Sequence, residues 1–212
     1  MDPVCIIAGA GEYFGQAIEP RPEDYVIAAD AGFLRLRAMG VRIDEVIGDF
    51  DSAGCRPDHP RVRQLPVEKD DTDTLYALRV GVSMGFGQFR IYGGTGGRLD
   101  HTLANIQCLD WLARQGLRGW LYGDGCVLTV VRGGEIAFDA PAGRVFSAFA
   151  LGGEAQGVTI SGLKYAVDNA VITGDFPIGV SNETTGRRAR VSVQQGALLL
   201  YLPDEAQILS TR

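Results

Sequence analysis

The chain has 212 residues, room for one large or two small domains, and at this size folding buries about 70% of the accessible surface, so no disulfide or metal staple is needed. A composition of 46% hydrophobic and 22% charged residues excludes a disordered or fibrous protein. The formal charge of −6 argues against a broad nucleic-acid surface or binding to anionic lipid, and no apolar run reaches the roughly 18 residues of a membrane span; the expected location is the cytoplasm.

Along the chain, apolar runs at 4–8, 25–29, 45–48, 90–92 and 119–122 predict short strands. They alternate with helical periods. Leu34 and Ala38 mark a helix over 31–39, Leu75, Leu78 and Val82 one over 73–84, and Leu103, Ile106 and Leu109 one over 102–114. Each is followed by a glycine, Gly40, Gly85 or Gly116, suited to a helix C-terminus. The alternation predicts βαβ units around a parallel sheet over residues 1–131. From Arg132-Gly133-Gly134 onward the helical period disappears. Short apolar runs at 145–151, 158–160, 170–173, 189–193 and 197–202, separated by Gly-rich turns, predict a small β-sandwich or open barrel over 132–212.

The four cysteines, Cys5, Cys55, Cys108 and Cys126, show no CxxC spacing, and His59 and His101 are too few for a His-rich zinc site. A metal here would be hard and oxygen-bound. Seven of the 17 aspartates fall between Asp44 and Asp73. Asp is a poor helix former and a good loop ligand, which directs attention to that segment.

Four stretches carry candidate chemistry. Val46-Ile47-Gly48-Asp49-Phe50-Asp51-Ser52 runs an apolar strand into an Asp-x-Asp turn. At a strand carboxyl end these carboxylates would face the crevice where open α/β sheets bind ligands, and about 4 kcal/mol of mutual repulsion at 4 Å calls for a cation. The alternative is a solvated capping turn. Glu68-Lys69-Asp70-Asp71-Thr72-Asp73 precedes a helix, where Thr72 or Asp71 could be a simple N-cap. Gly93-Gly94-Thr95-Gly96-Gly97-Arg98-Leu99-Asp100-His101 combines backbone N–H groups, a helix N-terminus and an arginine, all suited to phosphate, without the Gly-Lys-Ser/Thr of a Walker A loop. Gly9-x-Gly11 follows the first strand and Asp30 ends the second. Gly15 falls one place late for a dinucleotide fingerprint, so Asp30 is kept as a site residue without implying NAD. Together these stretches favour a Mg2+-dependent site for a phosphorylated ligand. No Ser-His-acid, Cys-His or lysine-nucleophile arrangement is recognisable.

Ala29-Asp30-x-Gly32, Gly48-Asp49-Phe50-Asp51-Ser52, Lys69-Asp70-x-Thr72-Asp73, Gly93-Gly94-x-Gly96-Gly97-Arg98-x-Asp100-His101 with Asn105, Gly162-Leu163-Lys164-Tyr165 and Ser181-Asn182-Glu183 resemble the thiamine pyrophosphokinases, in that family's order and across nearly the whole chain. The resemblance implies a Rossmann-like α/β nucleotide-binding catalytic domain (1–131) followed by a β-sandwich for thiamine binding and dimerisation (132–212). It implies transfer of diphosphate from ATP to the hydroxyl of thiamine, releasing AMP, in a homodimer with thiamine where the subunits meet. It further implies Asp49, Asp51, Asp70, Asp73 and Asp100 around the polyphosphate, Mg2+ on Asp49, Asp51 and Asp100, and Asp30, Thr95, Gly96, Gly97, Arg98 and His101 at the nucleotide. Tyr165, Ser181 and Asn182 would lie near thiamine. Ala31, Ala166 and Val180 depart from the family pattern, the last two bearing on the thiamine pocket.

Three rivals remain from the residues alone. Asp49-Phe50-Asp51 imitates the nucleophile motif of haloacid-dehalogenase-type phosphatases, although there it stands on the first strand. A different alcohol, such as a hydroxymethyl pterin, could accept the diphosphate. A nucleotide-sensing module would bind Mg-ATP without turnover.

Overall fold

Cys5-Ile6-Ile7-Ala8 has no polar face, the mark of a strand covered on both sides, and in a computed structural model, which describes residues 2–50, 54–66 and 70–211, it forms β1 (Cys5–Ala8), entirely buried. The architecture is mixed α/β and dominated by sheet. The chain divides into two compact units, Met1–Cys108 with Leu117–Asp124 and Leu109–Gly116 with Gly125–Arg212.

The first unit continues with β2 (Tyr25–Ala29), α1 (Gly32–Ala38), β3 (Glu45–Gly48), β4 (Val62–Gln64), α2 (Asp73–Ser83), β5 (Gln88–Tyr92), the first part of α3 (Leu99–Ala113) and β6 (Arg118–Gly123). Its strands lie in the order β6-β5-β1-β2-β3-β4, and every neighbouring pair is parallel. The predicted strands and helices are all present. β4 is an addition: three residues with mostly exposed side chains carry no apolar period that a sequence could display. Thr72, not Asp71, caps α2, its Oγ1 accepting from the Leu75 amide at 3.2 Å. The α1 face carrying Phe33 and Leu36 is buried with Ile6, Val26 and Val46 in one cluster, and Phe33 meets Phe50 edge-on at 6.4 Å.

The second unit is antiparallel throughout: β7 (Cys126–Asp139), β8 (Val145–Ala150), β9 (Glu154–Ser161), β10 (Val167–Thr173), β11 (Asn182–Glu183), β12 (Ala189–Pro203) and β13 (Gln207–Thr211). Arg132-Gly133-Gly134 is no break, because β7 runs straight through it. Likewise the predicted strands 189–193 and 197–202 are one bent strand, β12. The register of β12 on β7 slips between Val193 and Ala197, where residues 194–196 stand opposite the single Gly133, at φ +54°, two residues in excess. Such a bulge bends the strand without ending it. Before the bulge β12 pairs with β9 and after it with β8, so one strand serves two sheet directions. Phe138 and Phe146, both fully buried, stack at 5.9 Å in this core.

Candidate active site

The strand order of the first unit reverses between β1 and β5, and ligands of open α/β sheets bind outside the strand carboxyl ends at such a point. Here the β1 and β5 loops are laced together. Gly9 N donates to Tyr92 O at 2.8 Å, Gly11 N to Gly93 O at 2.8 Å and Glu12 N to Thr95 O at 3.1 Å. The approach requires glycine, since a Cβ on Gly93, at φ +61°, would stand 2.5 Å from Gly9 O. Above the laced loops opens a cavity of about 510 Å3, walled by these glycines, the ends of β2 and β3, and the N-termini of α2 and α3.

Asp30, Asp49, Asp73, Gly96, Gly97, Arg98 and His101 all line that cavity. Two strand-end residues hold the left-handed conformation, Asp30 at φ +48° and Phe50 at φ +65°. Strain of this kind, about 1–3 kcal/mol per residue, persists where surroundings fix it, often at functional sites. Here the Asp30 amide donates to Ile47 O at 2.8 Å, and the buried Phe50 ring anchors the residue beside Asp49. Three of the described predicted residues stand apart. Thr95 is buried beneath the loop, its hydroxyl donating to Tyr122 O at 3.3 Å, so it supports the loop from below. Asp70 is exposed and not in the cavity wall. Asp100 is also exposed and engages Arg98, with Nη2–Oδ2 at 2.5 Å and Nε–Oδ1 at 3.1 Å. The Arg98 hydrogen bond holds the Asp100 carboxyl below its ordinary pKa, and the pairing raises that of Arg98. Asp51 lies outside the described residues, as do Ser52 and Lys69.

Among the wall residues outside the expected set, Asp71, Glu12 and Asn105 bear on the chemistry. Asp71 lines the cavity and is braced by Arg79, Nε–Oδ2 at 3.3 Å. Its signal was present in the acidic run, but choosing Asp71 over Asp70 needs the angle at which the chain enters α2. Glu12 also lines it, carried there by the loop lacing. Asn105, buried on α3, donates from Nδ2 to Gly94 O at 2.8 Å and so holds the glycine loop. Among the described residues no group of three or more His, Cys, Asp or Glu is close enough to hold a metal alone.

Comparison with known families decides between the readings. The profile described as "Thiamin pyrophosphokinase, catalytic domain" matches residues 21–121, and that described as "Thiamin pyrophosphokinase, vitamin B1 binding domain" matches residues 135–198. The chain belongs to the thiamine pyrophosphokinase family. It is 28% identical over 181 residues to the thiamine pyrophosphokinase of Bacillus subtilis (strain 168), covering 82% of this chain and 85% of that one. The crystal structure of a thiamine pyrophosphokinase from Bacillus subtilis superposes with a TM-score of 0.82 at 26% identity, covering 95% of this chain and 99% of that one. A thiamin pyrophosphokinase family protein from Enterococcus faecalis gives 0.81 at 26% identity, covering 96% and 99%. The family is one of ATP-dependent diphosphotransferases, and the phosphatase and sensor readings of the sequence fall away with it.

The three family-derived thiamine residues lie in the second unit. Tyr165 is 61% exposed and Ser181 is exposed at φ +60°, whereas Asn182 is buried at 8%. The Asn182 carboxamide engages the Tyr165 backbone at both its N–H and its carbonyl.

Proposed function

We propose that this chain transfers the diphosphate group of ATP to the hydroxyl of thiamine, forming thiamine diphosphate and AMP, with a Rossmann-like nucleotide domain followed by a β-sandwich thiamine domain. The observation that carries the site assignment is the cavity at the β1/β5 reversal, where aspartates and a Gly/Arg loop line one wall. The strand order of the first unit and the mid-strand change of partner in β12 support the two domain types.

In such a transfer the hydroxyl attacks the β-phosphorus in line with departing AMP, and the protein supplies positioning and charge stabilisation more than covalent chemistry. Loop amides from Gly96 and Gly97 and the Arg98 guanidinium would take the phosphate oxygens. Asp30 and His101, with Thr95 supporting the loop, would complete the nucleotide side. Asp73, supported by its position in the cavity wall, would orient the hydroxyl and accept its proton, with Asp70 as the alternative. Oxygen donors suit Mg2+, which commonly uses one or two carboxylates, waters and the substrate's own phosphates and does not need a three-carboxylate cage. Asp49, with Asp51 and Asp100 from the family pattern, would hold it, and it would neutralise phosphate charge. Tyr165 and Ser181 would meet thiamine, an aromatic face suiting the cationic thiazolium.

A homodimer with thiamine where the subunits meet is supported by exposed apolar side chains of the second unit, among them Val171 (55%), Phe176 (62%) and Ile178 (65%). Among the described residues no helix is long and apolar enough to cross a membrane, and the free thiols of Cys5, Cys55 and Cys108 suit the reducing cytoplasm.

Incubation with Mg-ATP and thiamine should yield AMP and thiamine diphosphate in equal amounts. ADP as the product, or no dependence on thiamine, overturns the assignment. Asp49→Asn should lower kcat at least about 100-fold while the melting temperature stays within about 2 °C.

A further inference from the structure

The thiamine-side residues of the second unit are held by a short ribbon. Gly162-Leu163-Lys164-Tyr165 runs against residues 182–185. Leu163 bridges Thr184, Lys164 N donates to Glu183 O at 2.9 Å, and the Thr185 hydroxyl donates to Gly162 O at 2.7 Å. At Tyr165 the Asn182 side chain takes over. Its Oδ1 accepts from Tyr165 N at 3.0 Å and from Glu183 N at 2.8 Å, and its Nδ2 donates to Tyr165 O at 2.7 Å. A carboxamide has the donor and acceptor of a peptide group, so Asn182 extends the ladder by one residue beyond the backbone. With three bonds made and 8% exposure, it has little left to offer a ligand. Ser147 does the corresponding work one residue earlier. Buried at 6% on β8, its Oγ accepts from Ser181 N at 3.1 Å and fixes a residue at φ +60°.

We propose that Ser147 and Asn182 are positioning residues of the thiamine site, acting on the substrate through Ser181 and Tyr165 and not by touching it. The inference rests on the reading of Tyr165 and Ser181 as thiamine contacts and gives Asn182 a positioning role in place of the contact role that the family resemblance implies. The exposed Tyr165 ring is steered from its backbone, and the Lys164 ammonium, paired with Glu183 at 3.2 Å, lies over it at 5.7 Å. The backbone bonds fix the point from which the ring projects, and the cation covers one of its faces.

Steady-state kinetics of the full chain with Mg-ATP and thiamine test this. Asn182→Asp keeps the two acceptor bonds but loses the donor to Tyr165 O, and Ser147→Ala strands the Ser181 N–H. Each should raise KM for thiamine about tenfold, with kcat and KM for ATP within about twofold. Thr159→Val removes two comparable bonds, to Asp168 and Asn169 at 3.2 Å each, elsewhere in the same unit, and should leave thiamine KM unchanged. Ser147→Ala deletes one oxygen and keeps the test available should Asn182→Asp fail to fold. A fall in thiamine KM in Asn182→Asp, as an added carboxylate touching a cation would give, overturns the proposal. So does an unchanged thiamine KM, or an equal rise in the ATP KM. Tyr165→Ala separates the two levels: no rise in thiamine KM there defeats the contact reading itself, whereas a rise there with none in Asn182→Asp and Ser147→Ala defeats the positioning inference alone.

Discussion

Asp24 is a buried carboxylate that remains ionised. Burial pushes its pKa up, but hydrogen bonds from the Arg21 guanidinium and from the Val4 and Arg21 amides outweigh that and bring it from 3.8 to about 2. A depressed folded-state value stabilises the fold above the unfolded pKa and ceases to as pH falls through the folded one. The contribution, on the order of 2 kcal/mol, is therefore present at neutral pH and lost between about pH 4 and pH 2. Urea midpoints measured from pH 6 to pH 2 should fall over that window in the native chain and by less in Asp24→Asn, which starts lower; parallel curves would refute the assignment. Nothing in the sequence distinguishes Asp24 from its neighbours, because its partners are the chain start and a loop arginine. The same holds for Asp71, which lines the cavity where Asp70 does not, and for the burial of Thr95 beneath the glycine loop. Residue type and rough location were legible, but which way each side chain faces was not.

Helices declare their faces through periodicity, and α1, α2 and α3 begin and end close to their predicted bounds. What periodicity hides is how near an element can come to its neighbour. Gly81, buried within α2, would place a Cβ 2.6 Å from the Phe89 ring and 2.8 Å from the Cys5 sulfur. In an exposed helix Gly→Ala would gain about 1 kcal/mol; at this contact overpacking should win, and Gly81→Ala should lose about 1–2 kcal/mol by chemical denaturation. Increased stability would show that α2 can shift outward freely. The long strands were misjudged for a related reason. Gly133-Gly134 and the 194–196 stretch look like turns in one dimension, and only pairing shows that each is the other's bulge partner.

A ligand that binds only the folded chain stabilises it by mass action, about 2.7 kcal/mol at a hundredfold excess over Kd. Mg-ATP should accordingly raise the melting temperature of the whole protein by roughly 5–10 °C, and most of that gain should vanish in Asp49→Asn. An unchanged melting curve at millimolar Mg-ATP would remove the nucleotide from the cavity. The α/β then β order, the family and most of the cavity-wall residues were determined by the sequence itself, because apolar period, glycine punctuation and clustered aspartates are local properties written in the order of residues. The lacing of the β1 and β5 loops, the inclusion of Glu12 and Asp71, the bend of β12 and the duties of Ser147 and Asn182 were decided only by tertiary structure. Each depends on a distance between groups many residues apart, and linear order does not contain that distance.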